Sequence, residues 1–205
     1  MNFASDNTGP AHPDVIAAIT AANEGYAMPY GADDAMARVR QSIRDLFEAP
    51  EAAVYLVSTG TAANALALSV MVQPWQSIFC HRIAHIEEDE CGAPEFYANG
   101  AKLALVEGEG GKMTPDGLAQ TIAHTGDKGV HGMQRGPVSL TNITEVGTAY
   151  SLSEIKALSD VAKSYDLPVH LDGARFANAC AALGCRPADM TWKAGVDAVS
   201  FGGTK

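Results

Sequence analysis

A short apolar run ending in a carboxylate and an arginine, Val169-His170-Leu171-Asp172-Gly173-Ala174-Arg175, constrains this chain more than any other stretch. A second apolar run answers it: Val196 to Phe201, which passes through Gly202-Gly203-Thr204 to Lys205. Runs this short and this apolar read as strands buried on both faces. The interval from Asp172 to Lys205 has room for two helices and one strand, and the pattern predicts helices over 174–183 and 187–194 within it.

The same alternation extends back along the chain. Residues 1–12 are polar and turn-rich and read as an arm, followed by one large domain over 13–205. Pro13 opens a helix to about Glu24, with Ile16, Ile19 and Ala22 at near-helical spacing. Asp33 or Asp34 opens a second helix. Further strands are expected over 53–57, 77–80, 101–106 and 137–141. Helices are expected over 65–72, 94–99 and 114–124, and another behind the capping box Ser151-x-x-Glu154 to about Tyr165. Strands alternating with helices predict an α/β fold, a mostly parallel sheet sandwiched by helices. Such sheets bind ligands outside the carboxyl ends of their strands. Gly60-Thr61, Asn142 to Glu145, Asp172 with Arg175, and Lys205 all follow strands.

Composition narrows the function classes. With 47% hydrophobic and 19% charged residues the chain can build a packed core. A net charge of −10 argues against nucleic acid and against an anionic membrane surface. No apolar run approaches the roughly 20 residues that span a bilayer. The N-terminus lacks the basic and apolar regions of a signal peptide, so the expected compartment is the cytoplasm. Cys80, Cys91, Cys180 and Cys185 include no Cys-x-x-Cys pair and read as reduced core residues.

A strand-end Asp, a nearby Arg and a later strand-end Lys are what a pyridoxal 5′-phosphate (PLP) site requires. The Asp keeps the ring nitrogen protonated and the Lys carries the cofactor as a Schiff base. Gly60-Thr61-Ala62, between a strand and a helix, suits a phosphate. The dinucleotide and triphosphate loops, Gly-x-Gly-x-x-Gly and Gly-x-x-x-x-Gly-Lys, do not occur. Arg175 could grip a substrate carboxylate or pair with Asp172. His85, before the acidic stretch that ends at Glu90, could stack on the ring and move protons. His131 reads as a surface histidine from spacing alone. Two metal readings are weaker. His81 and His85 have i, i+4 spacing in a segment that does not read as a helix. His170 and Asp172 share a strand face but lack an identifiable third ligand.

Jointly, Ser5-Asp6-Asn7, Tyr30-Gly31, Gly60-Thr61-Ala62-Ala63-Asn64, Ala84-His85-Ile86 with Glu90, Thr141 to Gly147, His170 to Arg175 and Ser200 to Lys205 resemble the low-specificity L-threonine aldolases, most closely their phenylserine-aldolase-like branch. The resemblance implies an aspartate-aminotransferase-like large domain and a homotetramer built as a dimer of dimers with active sites at subunit boundaries. It implies that Lys205 holds PLP, that Asp172 pairs with the pyridine nitrogen, and that Gly60, Thr61, Ala62 and Thr204 contribute to cofactor binding. It further implies His85 and Glu90 at the ring, Ser5, Tyr30 and Arg175 at the substrate, and His131 near the substrate hydroxyl. No metal is implied. Many members have Glu-Asn-Thr-His-Asn where this chain has Thr141-Asn142-Ile143-Thr144-Glu145. The family's small C-terminal domain, with its further carboxylate-binding Arg, has no counterpart. Two readings follow, a truncated protein or a sequence cut at the lysine that carries the cofactor; the second is the expectation.

The expected reaction is cleavage of L-threonine, L-allo-threonine or a β-aryl serine to glycine and an aldehyde, with His85 or His131 taking the hydroxyl proton. The alternatives are β-elimination or transamination on the same fold, or an inactive fragment.

Overall fold

A computed structural model describes residue 5 and residues 7–203. The calls on Thr204 and Lys205 lie outside the described residues. The chain divides into two compact units, one running to Val54 and one spanning Tyr55–Gly203.

The first unit carries two helices. α1 (Pro13–Ala22) begins with Pro in its first turn, where a missing N–H costs nothing, and His12 Nδ1 accepts from Asp14 N. The periodicity finds this helix. Val15, Ile16 and Ile19 are exposed and α1 buries no residue. In α2 (Asp34–Leu46) the N-cap Asp33 accepts from Met36 N at 2.8 Å. Arg44 Nε then donates to Ala52 O at 2.9 Å, tying the following loop back to the helix.

The second unit is a five-stranded, wholly parallel sheet in the order β2-β1-β3-β4-β5. The strands are β1 (Gln76–His81), β2 (Lys102–Val106), β3 (Gln134–Thr141), β4 (Val169–Gly173) and β5 (Ala198–Phe201). Every residue of β4 is buried, so both faces of the sheet are covered. α3 (Gly60–Met71) lies on β3, β4 and β5 and packs against α5 (Ala93–Tyr97). α6 (Pro115–His124) and α7 (Leu152–Lys163) pack together, on β2 and β3 respectively. Leu68, Ile78, Cys80 and Ile86 are at most 2% exposed and form part of one apolar cluster. Each large side chain sealed there contributes ~1.5–3 kcal/mol.

Several boundaries differ from expectation for identifiable reasons. Residues 53–57 form no strand; Tyr55 and Leu56 are exposed and the run has no neighbour to share a ladder with. α3 starts at Gly60 rather than Ala65, because the Thr59 side chain caps it by accepting from Ala62 N at 3.1 Å. The acidic stretch after Ala84 is a helical turn, α4 (His85–Glu88), where a loop was expected. The helix expected over 187–194 stops as α9 (Pro187–Met190), since Thr191 leaves helical geometry at φ −118°, ψ −112°. No helix among the described residues is long and apolar enough to cross a membrane.

In this strand order the direction of winding reverses between β1 and β3, and ligand crevices open there at the carboxyl ends. His85 follows β1, Asn142 to Glu145 follow β3, and Asp172 lies near the end of β4.

Candidate active site

Asn64, on the inner face of α3, is the hub of the site. Its Nδ2 donates to Asp172 Oδ2 at 2.8 Å and to Glu90 Oε1 at 2.7 Å. All three side chains belong to residues no more than 3% exposed. Asp172 Oδ1 accepts a further bond from Ala174 N at 3.0 Å. Buried carboxylates are costly unless they accept hydrogen bonds, and one amide serves both. Asn64 Oδ1 and Glu90 Oε2 are buried without a partner.

His85 completes the group. Its Nδ1 lies 2.8 Å from Glu90 Oε1, and its side chain remains 32% exposed. The Glu90 hydrogen bond raises its pKa against the opposing effect of burial, and the charges of Glu90, Glu145 and Asp172 add to the rise. Arg175, the N-cap residue of α8 (Phe176–Leu183), holds Nη1 3.8 Å from Glu145 Oε2.

Beneath this group His170 is fully buried between two hydroxyls, Ser139 Oγ at 3.0 Å from Nδ1 and Ser200 Oγ at 2.9 Å from Nε2. Burial pushes its pKa down to about 4, although the Asp172 charge opposes this. The glycines of the two motifs allow β4 and the end of β5 to approach. A Cβ on Gly173 would come within 2.9 Å of Ser200 O, and one on Gly202 within 2.4 Å of Ala174 O. Gly202 N donates to Gly173 O at 3.0 Å across this contact.

The structure therefore gathers His85, Glu90, Asp172, Arg175 and the start of α3 in one unit. In the first turn of α3, Gly60 and Thr61 N–H groups have no intrahelical acceptor, and a Cβ at Gly60 would meet nothing within 4 Å. The Ala62 N–H is given to the Thr59 side chain. His131 is not brought to this cluster. It is exposed, in a turn before β3, whereas the cluster sits at the other end of that strand. An eight-residue strand separates those ends by about 23 Å. Ser5 and Tyr30 belong to the first unit. Ser5 Oγ donates to Asn7 Oδ1 at 2.6 Å, and Tyr30 is exposed at φ 62°.

Neither metal pairing from the sequence survives. His81 bonds Gly108 O and Ile83 N through its two ring nitrogens, and His170 bonds two serines. Among the described residues, the ligand atoms of His85, Glu90 and Asp172 do lie within 4.8 Å of one another. The amide of Asn64 already donates to both carboxylates there. Sequence reasoning assigned no role to Asn64 or Glu145. The only available signal was their place in motifs that follow residues 53–57 and β3.

The sequence matches the β-eliminating lyase family over residues 2–205. It is 47% identical over 205 residues to a low specificity L-threonine aldolase of Pseudomonas aeruginosa, covering 100% of this chain and 58% of that protein. The chain thus spans little more than half the length of such relatives. A Leishmania major threonine aldolase structure aligns at a TM-score of 0.85 with 29% identity, over 91% of this chain and 54% of that one. A putative aromatic amino acid β-eliminating lyase/threonine aldolase from Exiguobacterium aligns at 0.68 with 21% identity, over 89% and 49%, a likeness of fold.

Proposed function

The chain belongs to the β-eliminating lyase family, and from that premise we propose that the protein cleaves β-hydroxy-α-amino acids, L-threonine and L-allo-threonine among them, to glycine and an aldehyde with PLP. The observation that carries this reading is the Asn64–Asp172–Glu90–His85 cluster. Counted as ions, its two carboxylates outweigh its one imidazole by a negative charge. Asp172 has one donor on each oxygen and keeps room for another. A pyridinium N–H brings the missing positive charge and the missing donor, so these residues fit the cofactor. Bound there, PLP supplies a sink for the electron pair left when the Cα–Cβ bond breaks.

The rest of the chemistry falls to side chains. Asp172, fixed by Asn64 and Ala174 N, keeps the pyridine nitrogen protonated. Gly60 and Thr61 offer N–H groups to the phosphate, and their helix adds its positive end. Arg175 leaves its long contact with Glu145 for the substrate carboxylate. The family resemblance is what assigns Ser5 and Tyr30 to the substrate. His85, its proton affinity raised by Glu90, exchanges a proton with the substrate hydroxyl at Nε2. His131 is too far along β3 to serve this cluster, so a role for it requires the site of another copy, as in a dimer of dimers. The family resemblance is what assigns the cofactor linkage to Lys205 and a cofactor contact to Thr204.

The test is product analysis. Protein loaded with PLP and given L-threonine should yield equal amounts of glycine and acetaldehyde. A keto acid and ammonia instead would favour β-elimination, which the family description also accommodates, and would overturn the aldolase reading. Lys205→Ala should abolish the visible absorbance of the lysine-linked cofactor.

A further inference from the structure

α8 ends at a left-handed Gly184, φ 61° and ψ 33°. The N–H groups of Gly184 and Cys185 both turn back to the Cys180 carbonyl, the second at 3.2 Å. A bond from the residue after the glycine to the carbonyl five residues earlier is the Schellman closure. It brings together the side chains at its two ends. Elsewhere that contact is usually between apolar groups. Here the two ends are Cys180 and Cys185, both free and both partly buried. The proposed catalysis uses neither. Among the described residues, the cluster of possible metal ligands is His85, Glu90 and Asp172, so the thiols are not part of a metal group.

We propose that Cys180 and Cys185 form a redox modification site, a reversible disulfide that closes the last turn of α8, with a low-molecular-weight disulfide as the oxidant. Burial raises the pKa of the Cys180 thiol, with the Cys185 thiol and the Asp189 charge adding to the rise, so alkaline pH favours the exchange. One of the two thiolates attacks one sulfur of the oxidant and displaces one thiolate, leaving a mixed disulfide. The other thiol then loses its proton to solvent, attacks the protein-bound sulfur of that mixed disulfide, and expels the second thiolate. Two protein thiols are oxidised by two electrons, and the oxidant's single disulfide is reduced to two thiols.

The experiment treats the purified protein with oxidised glutathione at neutral and mildly alkaline pH, quenches with an alkylating reagent, and reads intact mass and a peptide map. The expected product has lost two hydrogens and carries a Cys180–Cys185 crosslink. It forms faster at alkaline pH and is reversed by dithiothreitol. Cys180→Ala and Cys185→Ala should each stop at a single glutathione adduct on the remaining thiol of the pair, with no crosslink. Exposed Cys91 serves as an internal control for oxidant strength. Wild-type protein that stops at a mixed disulfide on Cys180 or Cys185, or that keeps both thiols after Cys91 has reacted, would overturn the proposal. Neither outcome depends on the aldolase reading.

Discussion

Asn64 and Asp172 are 108 positions apart in sequence, yet the Asn64 amide donates to Asp172 Oδ2 at 2.8 Å inside the fold. The same nitrogen reaches Glu90, so one donor is shared by two buried carboxylates. Replacing it with an apolar side chain leaves acceptors buried and under-satisfied, at a cost of ~1–3 kcal/mol. Asn64→Leu should lower the urea midpoint by a corresponding amount. Asn64→Asp should lower it further at neutral pH, because a third carboxylate then joins the cluster. That excess should shrink as the pH falls into the carboxylate range. Equal midpoints for Asn64→Leu and wild type would mean the amide is not holding the pair.

Two glycines should respond in opposite ways. At Gly202 a Cβ would press to 2.4 Å of the Ala174 carbonyl oxygen, and backbone on both sides must move to admit it. Gly202→Ala should therefore cost ~1–3 kcal/mol. At Gly60 a Cβ meets open space, so Gly60→Ala should leave the urea midpoint unchanged or slightly raised. Its effect should fall on cofactor binding, read as a several-fold weaker PLP titration. A Gly60→Ala protein with lower stability and unchanged PLP affinity would contradict the assignment of that turn to the phosphate.

These contrasts also mark how far the sequence could be read. β1 to β5 were legible because short apolar runs between turn signals leave few alternatives, and Asp172 was legible because a carboxylate stands out near the end of such a run. Residues 53–57 have the same appearance but no neighbour to bond to, and pairing is not written in one segment alone. The turn at His85 was missed because four residues, three of them polar, are too few to show a periodicity. Asn64 was invisible as a hub for a different reason: its partners lie 26 and 108 residues away, and nothing local distinguishes it from a surface asparagine. The glycines were visible as glycines, but the contact that requires Gly202 exists only once β4 and β5 are side by side.

His85 should titrate above its ordinary range because Glu90 holds its proton, with the charges of Glu145 and Asp172 assisting. A histidine whose folded pKa exceeds its unfolded value stabilises fully below the unfolded pKa, near 6.5, and loses that contribution as the pH rises through the folded value. Glu90→Gln removes the main cause. NMR titration of the His85 ring should give a lower pKa in Glu90→Gln than in wild type. Glu145→Gln should lower it by less. An unchanged His85 titration in Glu90→Gln would show that the hydrogen bond does not control the proton.

His170 should act in the opposite sense, and its effect is the larger one to measure. It is sealed between Ser139 and Ser200 and burial holds its pKa down to about 4. Between the unfolded value of about 6.5 and that folded value, the unfolded chain binds a proton that the folded chain refuses. Its stabilising contribution is therefore complete above about 6.5 and drains away as the pH falls toward 4. A shift of this size corresponds to about 3 kcal/mol over the window. Urea midpoints should fall steeply for wild type across it. In His170→Gln the slope should flatten, since the amide can still meet a serine but does not titrate. A Gln variant as acid-sensitive as wild type over that window would assign the sensitivity to another group and remove His170 from the account.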